Sequence, residues 1–152
     1  MASLKDRLRE DLTAAMRARD EVGKATLRMV LTALSKAEVS GKEHSTLTDD
    51  QIIGVIRSEL GKRNEAAGIY DQAGRAELAS RERAEAAVLA SYLPPELDSR
   101  VLDQIVAEEV ARAEQEGITG PRAMGVVIKA VRGRVGAQAD GARIAEAVKA
   151  RI

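Results

Sequence analysis

Cysteine, phenylalanine and tryptophan are all missing from this chain, tyrosine occurs twice and histidine once. Without cysteine there is no disulfide, no thiolate metal site and no cysteine nucleophile, and the omission agrees with a reducing compartment. Without large rings a core must be assembled from Ala, Leu, Val and Ile, which supply most of the 45% hydrophobic fraction. No apolar run approaches the roughly 20 residues that span a bilayer. The start, MASLKDRLREDL, is charged from Lys5 onward and so lacks the apolar centre of a signal peptide. The expectation is a cytoplasmic protein without a membrane segment.

What is present favours helix throughout. Ala and straight-chain residues dominate, and β-branched residues are scattered rather than alternating, so an all-α chain is expected and a sheet is not. Ser3 opens a first helix carrying Leu4, Leu8, Leu12, Ala15 and Met16, ending near Arg19. Asp20 caps a second, with Leu27, Val30, Leu31 and Leu34 as its stripe. Thr48 and Gln51 form a capping box ahead of Ile52, Ile53, Ile56 and Leu60. Gly54, Gly61 and Gly68 lie one heptad apart on this third helix, which indicates either close helix contact or simple drift.

A fourth helix follows Gly74, with Leu78, Glu82, Glu85, Leu89 and Tyr92 in steps of four and three. Two carboxylates thus fall on a core stripe. Arg28, Arg63, Lys24 and Arg57 are the cations placed to compensate Glu82 and Glu85 in a buried ion-pair network. The alternative, a paired-carboxylate acid/base or metal site, lacks the E-x-x-H that a di-metal bundle requires. No metal and no cofactor is expected.

Pro94 and Pro95 stop the fourth helix. They divide the chain into a four-helix N-terminal part, 1–93, and a small three-helix C-terminal bundle, 96–152. In the second part, Val101, Leu102, Ile105, Val106 and Val110 mark helix five. Pro121 opens helix six with Met124, Val127, Ile128 and Val131, and Asp140 caps helix seven with Ile144, Val148 and Ile152.

Formal net charge is zero, but its distribution is uneven. Between Glu96 and Glu116 there are seven acids and two bases; between Gly120 and Ile152, seven bases and two acids. Arg122, Lys129, Arg132, Arg134, Arg143 and Lys149 therefore make either an anion-binding face for RNA or the neutralising partner of acidic helix five. No tail aromatic is available to stack on a base, which argues against sequence-specific reading of a single strand.

An enzyme is the weaker expectation. His44 stands in a polar loop beside Ser45 with nothing to orient it, and reads as an ordinary solvated residue. There is no G-x-S-x-G, no dinucleotide fingerprint and no phosphate loop, since Gly61-Lys62 lacks the preceding glycine.

The segments LKDRLREDLTAAMRARD, LRMVLTALSKAE, LTDDQIIGVIRSEL, AGRAELASRERAE and SYLPPEL, with Met124-Gly125 and Ala139-Asp140-Gly141, together resemble the GatB/YqeY-domain family across nearly the whole chain. That resemblance implies an all-helical protein whose tail is similar to the tail of the GatB subunit of glutamine-dependent aminoacyl-tRNA amidotransferase, where it helps hold tRNA. It implies a non-catalytic adaptor with tRNA, or an amidotransferase or other translation-related protein, as partner. The alternatives it leaves are a protein-interaction module and a carbon-nitrogen ligase activity with glutamine as amido donor. The chain departs from the family pattern at Val126 and Gln138, where a cation is frequent, and at Gly120, where a polar cap is frequent.

Overall fold

The computed structural model describes residues 3–41 and 45–152. His44, expected in a solvated loop, lies outside the described residues. Seven α-helices account for the secondary structure of the described residues, with one short 3-10 turn and no strand. The chain divides into two compact units, Met1–Leu93 and Pro94–Ile152.

The first unit holds α1 (Leu4–Arg17), α2 (Glu21–Val39), α3 (Asp49–Gln72) and α4 (Ala76–Ala90). Their starts follow from side-chain capping. The Ser3 hydroxyl accepts the Asp6 N–H in a reciprocal capping box, Asp20 accepts from Gly23, and Thr48 with Gln51 forms a second box. Arg19, at φ +56°, turns the chain between α1 and α2, which ends the first helix two residues before the expected position. The core is aliphatic: Leu8, Val30, Leu34, Ile52, Ile56 and Leu89 are all at most 1% exposed. Each contributes about 1.5–3 kcal/mol by burial.

Along α4 the buried positions are Ala79, Ala86 and Leu89; of the expected line Leu89 and, past the helix end, Tyr92 are buried, Glu82 and Glu85 are half-buried, and only Leu78 is exposed. Alanine is prominent among the buried residues of this helix pair, with Ala67 on α3 and Ala79 and Ala86 on α4. Small side chains let two helices approach closely, so the inward side is marked by the absence of bulk rather than by leucine. The α3 glycines take no part in this contact. A Cβ added at Gly54, Gly61 or Gly68 would meet nothing within 4 Å.

The expected ion-pair network is only partly realised. Arg63 lies 2.8 Å from Glu59 and 3.5 Å from Glu85, with side chains 11%, 12% and 16% exposed. Glu85 also faces Arg81 at 3.8 Å. Arg28 is exposed and makes no ion pair among the described residues, Lys24 pairs with Glu21 on its own helix, and Glu82 pairs with no described cation. Arg28 points away because its position on α2 is opposite the Leu27, Val30, Leu34 stripe. A more deeply buried carboxylate, Glu38, is met by Lys5 of α1 at 2.5 Å.

The second unit holds α5 (Ser99–Gln115), α6 (Pro121–Val135), a 3-10 turn (Gly136–Gln138) and α7 (Gly141–Lys149). Asp98 and Asp140 cap α5 and α7. No side chain caps α6: Gly120 takes φ +71°, a conformation that favours glycine, and Pro121 supplies the first helical position. Leu102, Val106, Val127, Val131, Ile144 and Val148 form the core. Val101 and Ile152, expected on the apolar stripes, are exposed, because Val101 sits one position round from Leu102 and Ile152 lies beyond the end of α7.

Because Arg63 and not Arg28 faces Glu85, Glu85→Gln and Arg63→Gln should each destabilise the first unit by about 1–3 kcal/mol. A double-mutant cycle in urea should find them coupled, while Arg28→Gln should change stability by less than about 0.5 kcal/mol.

Candidate nucleic-acid interface

The basic tail is sorted by the fold into cations with internal work and cations without. Glu109 is the buried carboxylate of this unit, 3% exposed, on the same α5 stripe as Leu102, Val106 and Ala113. A charge there requires compensation. Arg134, near the end of α6, lies 3.3 Å from Glu109 and 2.7 Å from Glu108, and Arg112 lies 3.6 Å from Glu109. The Arg134 guanidinium donates to Glu108 and holds that carboxyl below the usual glutamate range; the same bond raises the pKa of Arg134.

Arg143 is also engaged. Its Nη2 donates to the Leu97 carbonyl at 2.7 Å and to the Ser99 hydroxyl at 3.1 Å, tying α7 to the segment that enters α5. The backbone N–H of Leu97 donates in turn to the Gln138 carbonyl at 2.9 Å, so the entering segment is held from both sides.

Four of the six sequence-nominated cations remain. Arg122, Lys129 and Arg132 on α6 and Lys149 on α7 are exposed and make no ion pair among the described residues. Asp103 and Glu114 on α5 and Glu116 just past its end are likewise exposed without an ion pair among those residues. Mutual neutralisation of the two charged segments is therefore confined to Arg134 and its two glutamates. The other four cations face solvent with their charge uncompensated.

The family-motif residues divide by role. Met124 packs on the core half-buried and Ala139 is buried, whereas Gly125 is exposed. Asp140 accepts the Arg143 N–H at 2.7 Å and starts α7. Gly141 sits against the Arg132 guanidinium: a Cβ added there would lie 2.6 Å from Nη2. Glycine at this point thus leaves room for the Arg132 head group beside the first turn of α7, where helix dipole and free N–H groups also favour an anion.

Glu109 was not singled out from the sequence, although its signal was available. The steps Leu102, Val106, Glu109, Ala113 repeat the four-three-four pattern that drew attention to Glu82 and Glu85. Glu38 continues the Leu27, Val30, Leu34 stripe in the same way.

In the first unit, Tyr92 is 8% exposed; its hydroxyl donates to Asp11 and the Arg7 guanidinium lies 4.8 Å from its ring centroid. Burial first, and the bond to Asp11 second, push the phenol well above its ordinary value. An open groove of about 350 Å³ runs beside it, bounded by Ala14, Ala18, Gly23 and Val88. Among the described residues no cluster of three His, Cys, Asp or Glu could hold a metal ion, and no helix is long and apolar enough to cross a membrane.

The depressed pKa of Glu108 has a definite sign. Its stabilising bond is fully present above the unfolded-state value and is lost as pH falls through the lower folded-state value. Carbon-detected NMR titration should place Glu108 below 4.5 in the wild type and return it toward that value in Arg134→Ala.

The model of the Yqey-like protein family matches residues 5–152. The chain is also similar to the Altered inheritance of mitochondria protein 41, mitochondrial, of Vanderwaltozyma polyspora, at 27% identity over 101 residues, covering 62% of this chain and 54% of that protein. It therefore spans about half the length of the curated relative it matches. With a family match running from the first helix to the last residue of the seventh-helix unit, the chain belongs to the YqeY-like protein family.

Proposed function

We propose that this protein is a non-catalytic helical adaptor that contacts tRNA through its C-terminal unit, and that it works in the cytoplasm beside glutamine-dependent tRNA amidation rather than performing it. The observation that carries this reading is the set Arg122, Lys129, Arg132 and Lys149, exposed and without ion pairs among the described residues. Four uncompensated cations on one small three-helix unit suit a polyanion, since each phosphate contact releases counterions. The similarity of such a tail to that of GatB, the tRNA-holding part of an amidotransferase, points to tRNA as that polyanion.

Amidation itself needs an activated nucleophile with an orienting base, and acyl transfer needs donors aimed at a developing oxyanion. Neither constellation underlies the proposal. A carbon-nitrogen ligase activity with glutamine as donor would belong to a complex in which this chain is the RNA-holding member.

Binding of the purified protein to total cellular tRNA should be tight at low salt and fall steeply across a salt series. Arg122→Ala, Lys129→Ala and Arg132→Ala combined should flatten the slope of log affinity against log salt by about 2–3 units. Arg134→Ala should reduce binding less than Arg132→Ala does, because Glu108 and Glu109 already hold its charge. No tRNA binding at low salt would remove the proposal and leave a protein partner as the ligand to seek.

A further inference from the structure

On α6 six of the eight exposed residues, Arg122, Gly125, Val126, Lys129, Arg132 and Gly133, fall within an arc of about 120°, given 3.6 residues per turn, and Pro121 and Arg134 lie outside it. Two of the six are glycines in ordinary helical backbone, so no left-handed conformation requires them. A Cβ added at Gly125 or Gly133 would meet nothing within 4 Å, so no internal packing requires them either. Glycine weakens a helix relative to alanine by exposing the backbone and enlarging the unfolded ensemble. The glycines of α3 are equally open, but α3 carries both signs of charge along its length, Asp50, Arg57, Glu59 and Lys62 among them, and selects no occupant. On α6 the glycines are set among three cations and no acid.

We propose that the outer face of α6 seats directly on the sugar-phosphate backbone of an RNA duplex. Gly125 and Gly133 are the points of closest approach, and Arg122, Lys129 and Arg132 make the phosphate contacts. This rests on the tRNA reading above and names the RNA element that the face takes. Arg122 and Arg132 are ten steps apart, about 15 Å of straight helix, which suits a continuous backbone. A duplex fits better than a single strand because the unit has no aromatic ring on which a base could stack, and both tyrosines lie in the first unit. A-form RNA offers phosphates and 2′-hydroxyls along a shallow minor groove, read by shape at short range, and a helix surface without side chains at two points can come close enough to use them.

The test compares the full-length wild type with Gly125→Gln, Gly133→Gln, their double variant and, as a control on α3, Gly68→Gln. Probes are total tRNA, an RNA hairpin with a stem of about 16 base pairs, and a polyuridine strand of equal nucleotide count. The expected result is that tRNA and the hairpin bind while polyuridine binds at least tenfold more weakly. The α6 glutamines should raise the melting temperature by a few degrees, on the order of 4 °C each, while weakening tRNA and hairpin binding about tenfold or more. Gly68→Gln should leave binding unchanged. Wild-type affinity retained in the α6 double variant would overturn the close approach while leaving tRNA binding intact. Polyuridine bound as tightly as the hairpin would overturn the duplex assignment. Failure of the wild type to bind tRNA at all would instead remove the reading on which this one rests.

Discussion

The pairing of Glu109 with Arg134 and Arg112 is the constraint on which the character of the C-terminal unit depends. A carboxylate 3% exposed among valines and leucines is tolerable only with a cation against it, and the end of α6 supplies one. That contact fixes the rotation of α6 against α5. Once Val127, Val131 and Val135 face inward and Arg134 reaches across to Glu108 and Glu109, the remaining cations of α6 have no choice but the outer side. The same set of contacts therefore holds the core together and decides which charges are available to a partner.

Mostly aliphatic packing shapes the rest. Apart from Tyr92 in the first unit, the hydrophobic cores are filled by Leu, Ile, Val and Ala, and small buried alanines stand on both α3 and α4. Such seams bury little area per residue, which is why capping matters so much here. Five of the seven α-helices begin on a Ser, Thr or Asp whose side chain accepts a backbone N–H. The two exceptions, α4 and α6, begin on Arg75 and Gly120, each after a tight turn.

Most of the helices were legible from the sequence because these caps and the 3.6-residue stripes coincide. Ser3, Asp20, Thr48, Asp140 and Pro121 each stand at the helix start they indicated. The inward side of α4 was legible toward Leu89 and Tyr92 but not at its start, since alanine gives a hydrophobic stripe almost no contrast and Leu78 is exposed one position from buried Ala79. The charge asymmetry of the tail was plain in composition, but its division was not. That Arg134 and Arg143 are engaged while Arg122, Lys129, Arg132 and Lys149 are open depends on which carboxylates and carbonyls come within reach across two helices. Sequence spacing along one helix carries no such information. The partner of Glu85 escaped for the same reason: Arg28 and Arg63 are equivalent in charge, and only the packing of α3 on α4 selects Arg63.

The burial of Tyr92 beside Asp11 and Arg7 gives the molecule an uneven optical signature. With no tryptophan in the chain and both tyrosines, Tyr70 and Tyr92, in the first unit, near-ultraviolet absorbance and intrinsic emission come from that unit alone. The C-terminal unit is dark at those wavelengths. A tyrosine signal lost on heating or in denaturant reports the melting of α1 to α4 and is blind to α5 to α7, whereas far-ultraviolet dichroism sums both. The difference between the two curves isolates the unfolding of the tail within the intact chain, with no label and no truncation.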